Sequence, residues 1–278
     1  MKNALCLGTF DGVHLGHRAV LCLPDKYNKT AIIFRKPPRA IMSKKIELIT
    51  EIEDKKAMLF DLGINQIEVI DFEAVMDISP LDFLEQLKGK YNPNLISCGF
   101  NYRFGKNGEG DIEFLKNFCA QNNMELRIAS PVSREGQIIS STAIREYLKK
   151  GEVEKAAGLL GTHFFFKAPV IKGDARGRTL GFPTANQKYP EDLVRLKFGV
   201  YKTRIEYDGK KFFGITNIGI RPTFKTDHVL SETFIKGLNE DLYGKVLKIT
   251  PLKFLRQERK FDSIHALKNQ IKEDLENI

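Results

Sequence analysis

A glycine-rich stretch near the start of the chain carries two histidines in a spacing suited to phosphate chemistry. It reads Gly-Thr-Phe-Asp-Gly-Val-His-Leu-Gly-His over residues 8–17. Because it lies between an apolar run at residues 4–7 and a helix-compatible segment, the pattern predicts a strand, a turn and a helix start. If the helix begins at His14, the rings of His14 and His17 lie on one face near its positive end.

The other residues of this stretch suit a loop that approaches an anion closely. Gly8, Gly12 and Gly16 permit positive φ and let backbone N–H groups reach a phosphate, and Phe10 lies between them. We expect Asp11 to shape the turn rather than to bind a ligand. The fixed lysine of a Walker A loop is missing, which argues against an ordinary P-loop kinase here.

Two later stretches add polar groups that suit a nucleotide. Residues 99–106 read Gly-Phe-Asn-Tyr-Arg-Phe-Gly-Lys, in which Asn101 can bind a base or ribose and Tyr102 or Phe104 can stack on a ring. Around residue 141, capping of a helix explains one hydroxyl, that of Ser141. Capping does not explain two serines and a threonine followed by an arginine. We therefore predict a second phosphate cradle made by Ser140, Ser141, Thr142 and Arg145.

The elements that position these residues alternate in the first half of the chain. Candidate strands lie at residues 4–8, 30–34, 66–71, 95–99 and 125–128, and candidate helices at 15–23, 51–62, 80–88 and 112–121. This alternation predicts an α/β domain with a mainly parallel sheet, whose ligands bind beyond the carboxyl ends of the strands. Helices follow at 143–150 and 152–160.

Beyond residue 160 the periodicity changes to that of strands. Period-two alternation occurs at residues 164–172, 199–207, 211–218, 229–235 and 245–254. The pattern predicts an antiparallel barrel of about six strands, closed by a C-terminal helix at 263–276 that is capped by Ser263. We therefore predict two domains, at residues 1–160 and 161–278.

The motif at residues 8–17 resembles the signature of the HxGH nucleotidyltransferases, whose fold is Rossmann-like, and its longer form resembles the FMN adenylyltransferase module of bacterial FAD synthetases. The loop at 99–105, the Ser-Ser-Thr-x-x-Arg element and the helix pair at 146–160 match the same module. The resemblance implies transfer of AMP from ATP to FMN, with His14 and His17 stabilising charge and Arg145 holding the β- and γ-phosphates. One departure is visible, because Lys36 and Pro37 replace the usual His-Pro pair.

The stretch at residues 173–186 resembles the riboflavin kinase motif, and the likeness continues at 199–201, 217–224, 241–244 and 256–261. It implies that Glu232 is the general base for the 5′-hydroxyl of riboflavin; Phe234 stands where that family often has histidine. Thr184 and Asn186 alternate on one strand face and offer oxygen ligands for Mg²⁺. The loop between them and the preceding strand supplies donors and positive charge for nucleotide phosphates, from Gly173, Arg176, Gly177, Arg178 and Gly181.

Together these resemblances indicate a bifunctional riboflavin kinase/FAD synthetase with riboflavin, FMN, FAD and ATP as its ligands. Three alternatives stay open: only one activity is retained, the first domain transfers a nucleotidyl group to another phosphate acceptor, or the barrel and its basic surface bind nucleic acid. The net charge of +9 permits the last, but the charge is spread along the whole chain. We therefore expect no nucleic-acid partner.

Composition limits the remaining classes. No apolar run approaches about 20 residues and no signal region is visible, so we expect no membrane association and a cytoplasmic location. The four cysteines lack paired spacing, which predicts reduced thiols rather than disulfides or a zinc site. We expect a monomer or a weak homo-oligomer.

Overall fold

The computed structural model describes residues 1–38, 41, 47–173, 181–220, 228–238 and 240–276. The chain divides into two compact units, Met1–Ser141 and Thr142–Ile278. The helices that follow residue 141 thus lie in the second unit, ahead of the barrel. The extents of the two catalytic domains, for which we predicted a boundary after residue 160, stay a prediction.

The first unit is an α/β structure built on a parallel sheet, as predicted. Its strands are β1 (Lys2–Leu7), β2 (Tyr27–Phe34), β3 (Gln66–Ile70), β4 (Leu95–Gly99) and β5 (Glu125–Ala129). They lie in the order β3-β2-β1-β4-β5, and every neighbouring pair is parallel. The order reverses between β1 and β4, and crevices for ligands form beyond the carboxyl ends of strands at such a point.

Helices cover both faces of this sheet because alternate residues of each strand point to opposite sides. In β1, Ala4 and Cys6 belong to one buried cluster, and Leu5 and Leu7 belong to the other. The helices are α1 (Leu15–Leu21), α2 (Ile52–Asp61), α3 (Pro80–Tyr91) and α4 (Ile112–Gln121). A short antiparallel pair, β6 (Ser133–Arg134) and β7 (Gln137–Ile138), follows β5.

The second unit contains the predicted antiparallel barrel of six strands. These are β8 (Phe166–Ile171), β9 (Thr184–Lys188), β10 (Gly199–Tyr207), β11 (Lys210–Ile220), β12 (Val229–Ile235) and β13 (Val246–Arg256). The barrel closes in the order β10-β11-β12-β9-β8-β13. Its interior includes a row of three fully buried threonines. The Thr216 hydroxyl oxygen lies 2.9 Å from that of Thr203 and 2.9 Å from that of Thr233.

Three helices accompany the barrel: α5 (Ser141–Lys150), α6 (Val153–Leu160) and α7 (Ile264–Glu276). Ser263 caps α7 as predicted, since its hydroxyl accepts a hydrogen bond from the backbone N–H of Ala266 at 3.1 Å. The buried Asp274 accepts hydrogen bonds from the guanidinium of Arg256, at 2.8 Å to the nearer nitrogen. This pair ties α7 to the last strand of the barrel.

In the described part of the chain, no helix is long and apolar enough to cross a membrane. The four cysteines are reduced, with Cys6, Cys98 and Cys119 buried and Cys22 exposed. The prediction of free thiols is therefore confirmed. Burial raises the pKa of the Cys6 thiol to about 12, so this side chain stays protonated and inert in the core.

Candidate active sites

His14 is the N-cap of α1, which begins at Leu15 as predicted, and not at His14, the condition under which we placed the two rings on one helix face. Its backbone is extended, and its Nδ1 accepts a hydrogen bond from the backbone N–H of His17 at 3.2 Å. The rings of His14 and His17 still lie together, stacked with centroids 3.5 Å apart. Because Nδ1 of His14 is an acceptor, the proton of its neutral ring lies on Nε2, which can donate to a phosphate oxygen.

The glycines of this loop have different roles from one another. Only Gly12 has positive φ, at +84°, whereas the non-glycine residues Phe10 and Val13 have φ of +47° and +42°. A Cβ at Gly16 would lie 3.1 Å from the His14 ring. Of the three glycines that permit positive φ, only Gly12 uses it, and the other two make room for aromatic rings.

The Gly8 position shows the same steric effect. A Cβ there would lie 2.9 Å from the ring of Phe10, which is itself buried and packs edge-to-face against His17. A larger residue at position 8 would push Phe10 out, and Phe10 in turn supports the catalytic candidate His17.

Asp11 and Ser141 hold the loop from behind. The buried carboxylate of Asp11 accepts hydrogen bonds from the backbone N–H groups of Ile49 and Thr50, at 2.9 and 3.3 Å from Oδ1. These contacts are the ones expected of a residue that shapes the turn. The hydroxyl of Ser141 donates to the Asp11 carbonyl at 3.0 Å. Because Ser141 is the first residue of α5, the N-cap position falls on Ser140 and not on Ser141 as expected.

A cavity of about 360 Å³ lies over this loop. Apart from Gly12, the site residues predicted in the first unit all line it: Gly8, Phe10, His14, Gly16, His17, Asn101, Ser140 and Ser141. The tertiary structure therefore brings three separate stretches of sequence to one place. Thr142 and Arg145 follow on α5 in the second unit, and their contribution to the phosphate site stays a prediction.

Three aromatic residues of the loop after β4 line the cavities, Tyr102 and Phe100 this one and Phe104 a neighbouring one, and the stacking of Tyr102 or Phe104 on a ligand ring stays a prediction. Tyr102 and Phe104 stack on each other with centroids 5.6 Å apart, and Phe104 is buried in the core against Phe83. Phe100, in contrast, is 43% exposed and lines the cavity. Sequence reasoning did not single out Phe100; its place directly after Gly99, at the carboxyl end of a strand, was the available signal.

The segment in which Lys36 and Pro37 replace the family's His-Pro pair follows directly after β2. Pro38 lines the cavity, whereas the Arg35 guanidinium is paired with the Asp71 carboxylate at 2.8 Å on the surface. Neither Arg35 nor Lys36 belongs to the described lining of the cavity. Among the described residues at positions 35–38, Pro38 and neither of the two cations lines the histidine cavity.

A second, more apolar cavity of about 400 Å³ adjoins the first and shares Phe34, Pro38 and Arg103 with it. Aromatic and aliphatic side chains from three elements form much of its wall, including Phe72, Val75, Met76, Phe83 and Phe104. The sequence analysis missed this cavity because its wall comes from segments that show no motif. It can accommodate a flat apolar ring beside the histidine cavity.

In the barrel, Thr184 and Asn186 lie on one face of β9 and line a cavity of about 450 Å³. The Asn186 amide nitrogen donates to the Thr184 carbonyl at 3.2 Å, which leaves Oδ1 buried and without a hydrogen-bond partner among the described residues. Gly173 lines the same cavity, and a Cβ there would lie 2.6 Å from the Asn186 amide. Residue 173 must therefore be glycine for this amide to occupy its place.

Glu232 lies directly beside Asn186 across the β9–β12 pair, and Asn217 lies directly opposite Glu232 on β11. The three side chains thus form a row on one face of the barrel, with Cβ atoms of neighbours about 5 Å apart. Glu258 extends this row, because its carboxylate accepts a hydrogen bond from the Asn217 amide at 2.7 Å. Neither Asn217 nor Glu258 was singled out as a site residue from the sequence.

The donor set on this face suits Mg²⁺, which prefers oxygen ligands and commonly keeps few protein ligands beside substrate phosphates. Among the described residues, no cluster of three or more His, Cys, Asp or Glu side chains is arranged for a metal. The buried Asn186 Oδ1, lacking a hydrogen-bond donor, is an atom that a cation would satisfy. Arg176, Gly177 and Arg178 lie outside the described residues, and Gly181 has φ of +85° at the end of that gap.

Comparison with known proteins identifies the family. A family model for FAD synthetase matches residues 1–143, and one for riboflavin kinase matches residues 160–278. The bifunctional riboflavin kinase/FMN adenylyltransferase of Listeria monocytogenes is 35% identical, covering 99% of this chain and 90% of its own. That of Bacillus subtilis is 34% identical, covering 98% and 90%.

The fold of the whole chain also matches a solved structure. A crystal structure described as a macrolide-efflux protein from Streptococcus pneumoniae is 29% identical and has a TM-score of 0.91, covering 99% of this chain and 93% of that one. The two matched segments follow one another along the chain as the α/β unit and the barrel do. The chain therefore belongs to the bifunctional riboflavin kinase/FMN adenylyltransferase family.

Proposed function

We propose that this chain makes FAD from riboflavin in two steps, with the residues named above as the two active sites. The barrel transfers the γ-phosphoryl group of ATP to riboflavin, giving FMN and ADP. The α/β unit then joins FMN to the AMP part of a second ATP, giving FAD and pyrophosphate. The observation that carries this proposal is that each unit matches one family model and has its own cavity, lined by His14 and His17 in the first unit and by Thr184 and Asn186 in the second.

In the α/β unit, an oxygen of the FMN phosphate attacks the α-phosphorus of ATP, and pyrophosphate leaves on the opposite side. The Nε2–H of His14 and the ring of His17 stabilise negative charge on the α-phosphate and on the leaving group. The Ser140 and Ser141 positions, with Thr142 and Arg145 on α5, provide donors for the remaining phosphates. Asn101, at the opposite wall, binds the nucleotide or the flavin phosphate.

The apolar cavity beside the histidines suits the isoalloxazine ring of FMN. Its aromatic wall offers stacking and burial, while the shared Arg103 lies between the apolar cavity and the phosphate region. In this arrangement the FMN phosphate points from the apolar cavity towards His14 and His17. Pro38, which lines both cavities, forms part of the wall between ring and phosphate.

In the barrel, Glu232 accepts the proton of the riboflavin 5′-hydroxyl as that oxygen bonds to the γ-phosphorus and ADP leaves. Thr184 and Asn186 would hold Mg²⁺ through their side-chain oxygens. The ion, when bound, neutralises charge on the nucleotide phosphates. Gly173, Gly181 and the intervening Arg176, Gly177 and Arg178 cover those phosphates with N–H groups and positive charge.

The test is a flavin assay on the purified chain. Riboflavin, ATP and MgCl₂ are incubated with the protein, and riboflavin, FMN and FAD are separated by chromatography; a parallel reaction starts from FMN and also measures pyrophosphate. We expect FMN and then FAD in the first reaction, and FAD with equimolar pyrophosphate in the second. FMN without FAD in both reactions would show that only the kinase is active, the alternative suggested by Lys36 and Pro37.

Two further properties belong to this proposal. We infer a cytoplasmic location from the absence of any apolar run of membrane-spanning length, and a monomer or weak homo-oligomer. Light scattering after size-exclusion chromatography tests the second. Dependence of both reactions on Mg²⁺, measured with EDTA and MgCl₂ titrations, tests the metal assignment.

A further inference from the structure

A buried lysine lies behind the phosphate loop and takes no part in the mechanism above. Lys55, in the first turn of α2, is 1% exposed and is among the largest fully buried side chains. A lysine is rarely buried unless its charge is compensated. A cation near a helix N-terminus is also unfavourable with respect to the helix dipole. Both facts indicate that this position is occupied for the contacts that the ammonium makes.

Those contacts join two different segments of the site. The ammonium donates to the Thr9 carbonyl at 3.1 Å and to the Phe34 carbonyl at 3.3 Å. Thr9 lies just beyond the end of β1, and Phe34 is the last residue of the neighbouring β2. The two strands pair as far as Leu7 and Ile32, with a further hydrogen bond from Gly8 to Ile32 at 3.4 Å. Lys55 thus bridges the ends of β1 and β2, at the point where the regular pairing of these two strands stops.

The two bridged residues line the proposed substrate cavities. Thr9 lines the histidine cavity, and Phe34 lines both that cavity and the apolar one. The distance between their backbones therefore sets how far the phosphate loop stands from the proposed flavin wall. The neighbouring Phe10 has positive φ, a conformation that costs energy unless surrounding contacts enforce it. Lys55 on one side and the Asp11 contacts on the other enforce it here.

The Asp11 carboxylate compensates part of the cost of burying the charge of Lys55. Burial lowers the pKa of the Lys55 ammonium, and the nearby Asp11 carboxylate opposes that change. Asp11 in turn is fixed by the N–H groups of Ile49 and Thr50. The lysine, the carboxylate and the bridged carbonyls form one continuous support beneath the loop.

We infer that Lys55 is a positioning residue for adenylyl transfer, because its ammonium holds the phosphate loop and the end of β2 at the separation that the reaction requires. The inference rests on the proposed function of the first unit. Lys55 touches neither substrate cavity, so its effect on the reaction is exerted through Thr9 and Phe34. Misplacement of reacting groups by about 1 Å can cost about 100-fold in rate.

The experiment compares Lys55→Met, Lys55→Arg and the control Lys56→Met with the unchanged chain. Lys56 is the next residue of the same helix, and its ammonium forms a surface pair with Glu53 at 2.8 Å. For each protein, kcat and KM for FMN and ATP are measured in FAD formation, well below the unfolding transition. FMN formation from riboflavin is measured in the same preparation, as a control for intact folding of the barrel.

We expect Lys55→Met to lower kcat for FAD formation by about 10–100-fold, with KM values changed much less and FMN formation retained. Pyrophosphorolysis of FAD, the reverse reaction, should fall by the same factor. Lys55→Arg, which keeps the charge and its donors, should recover part of the loss, and Lys56→Met should match the unchanged chain. If Lys55→Met does not fold, Lys55→Gln replaces it, with the same expectations.

A kcat within twofold of the unchanged chain in Lys55→Met would overturn the inference. So would a lower unfolding temperature with full kcat per folded molecule, since that result describes a purely structural lysine. Failure of the proposed function is distinguishable, because the unchanged chain would then form no FAD from FMN at all.

Discussion

The candidate phosphate sites of the two units are built on different kinds of scaffold. In the α/β unit, the candidate residues lie beyond the ends of parallel strands, on a loop with positive φ at Phe10, Gly12 and Val13. In the barrel, Asn186, Glu232 and Asn217 lie along neighbouring strands in regular register. The first site therefore depends on a loop held in an unusual conformation, and the second depends on the pairing of a sheet.

This difference indicates which substitutions should reduce the activity of each site. The loop requires buried support from Asp11 and Lys55, so changes remote from the substrate should reduce adenylyl transfer. The barrel row is positioned mainly by the backbone register of β9, β12 and β11, which most side-chain substitutions leave intact. Changes in the barrel should therefore act through the substituted side chain itself. The predictions below test this contrast, and each uses the reaction of the other unit as its internal control.

The largest effect is expected for Glu232→Gln in the barrel. Without a carboxylate to accept the 5′-hydroxyl proton, FMN formation should fall by about 10²–10⁴-fold. FAD formation from supplied FMN should be unchanged, because the first unit is intact. Rates with riboflavin and with FMN, measured on one preparation, decide the matter. Loss of both reactions in a folded variant would contradict the division of labour between the units.

His17→Ala should remove the other reaction. We expect FAD formation from FMN to fall by about 10²–10³-fold, because charge on the transferring phosphate loses a preorganised donor. Conversion of riboflavin to FMN should continue, so FMN should accumulate in the chromatographic assay. Retention of FAD formation would mean that the stacked histidines support the loop without stabilising the reacting phosphates.

Asn186→Ala tests the metal assignment with a smaller expected effect. Loss of Oδ1 should raise the Mg²⁺ concentration needed for half-maximal FMN formation, or lower the rate, by about 10–100-fold. The Mg²⁺ dependence of FAD formation in the same variant should stay as in the unchanged chain. An unaltered Mg²⁺ titration of the kinase reaction would exclude Asn186 as a ligand.

The smallest effect is expected for Ser263→Ala, which removes a helix cap remote from both sites. The loss should lower the free energy of unfolding by about 1 kcal/mol, since an N-terminal N–H of α7 loses its partner. Both reactions should keep their rates at 25 °C. Chemical denaturation and the two flavin assays are the measurements. A kinetic defect would show that α7 has a role beyond packing, unlike the cap of α1, where His14 is itself in the site.

Much of this architecture could be predicted from the sequence because its signals are local. Strand and helix periodicity placed the parallel sheet and the barrel, and the motif at residues 8–17 placed the first site at the end of β1. Errors arose where tertiary packing overrides a local rule. Ser141 was predicted to cap a helix, whereas it is the first helical residue and its hydroxyl donates to the Asp11 carbonyl.

Aromatic residues show the same limit. Tyr102 and Phe104 were predicted to stack on a ligand ring, and they stack on each other, while Tyr102 and Phe100 line the histidine cavity and Phe104 lines the apolar one. Local sequence states which rings are available near a site. It does not state which of these rings pack into the core, since that depends on side chains from other elements, such as Phe83 of α3.

The order of the two units and their α/β and barrel classes could be predicted from sequence alone, because each depends on short-range patterns of residues. Tertiary packing set three further features: Nδ1 of His14 accepts from the backbone of His17, an apolar cavity adjoins the histidines, and Lys55 lies beneath the loop. These features come from contacts between segments tens of residues apart. Their geometry is set when the strand ends and helices pack together, which no single stretch of sequence encodes.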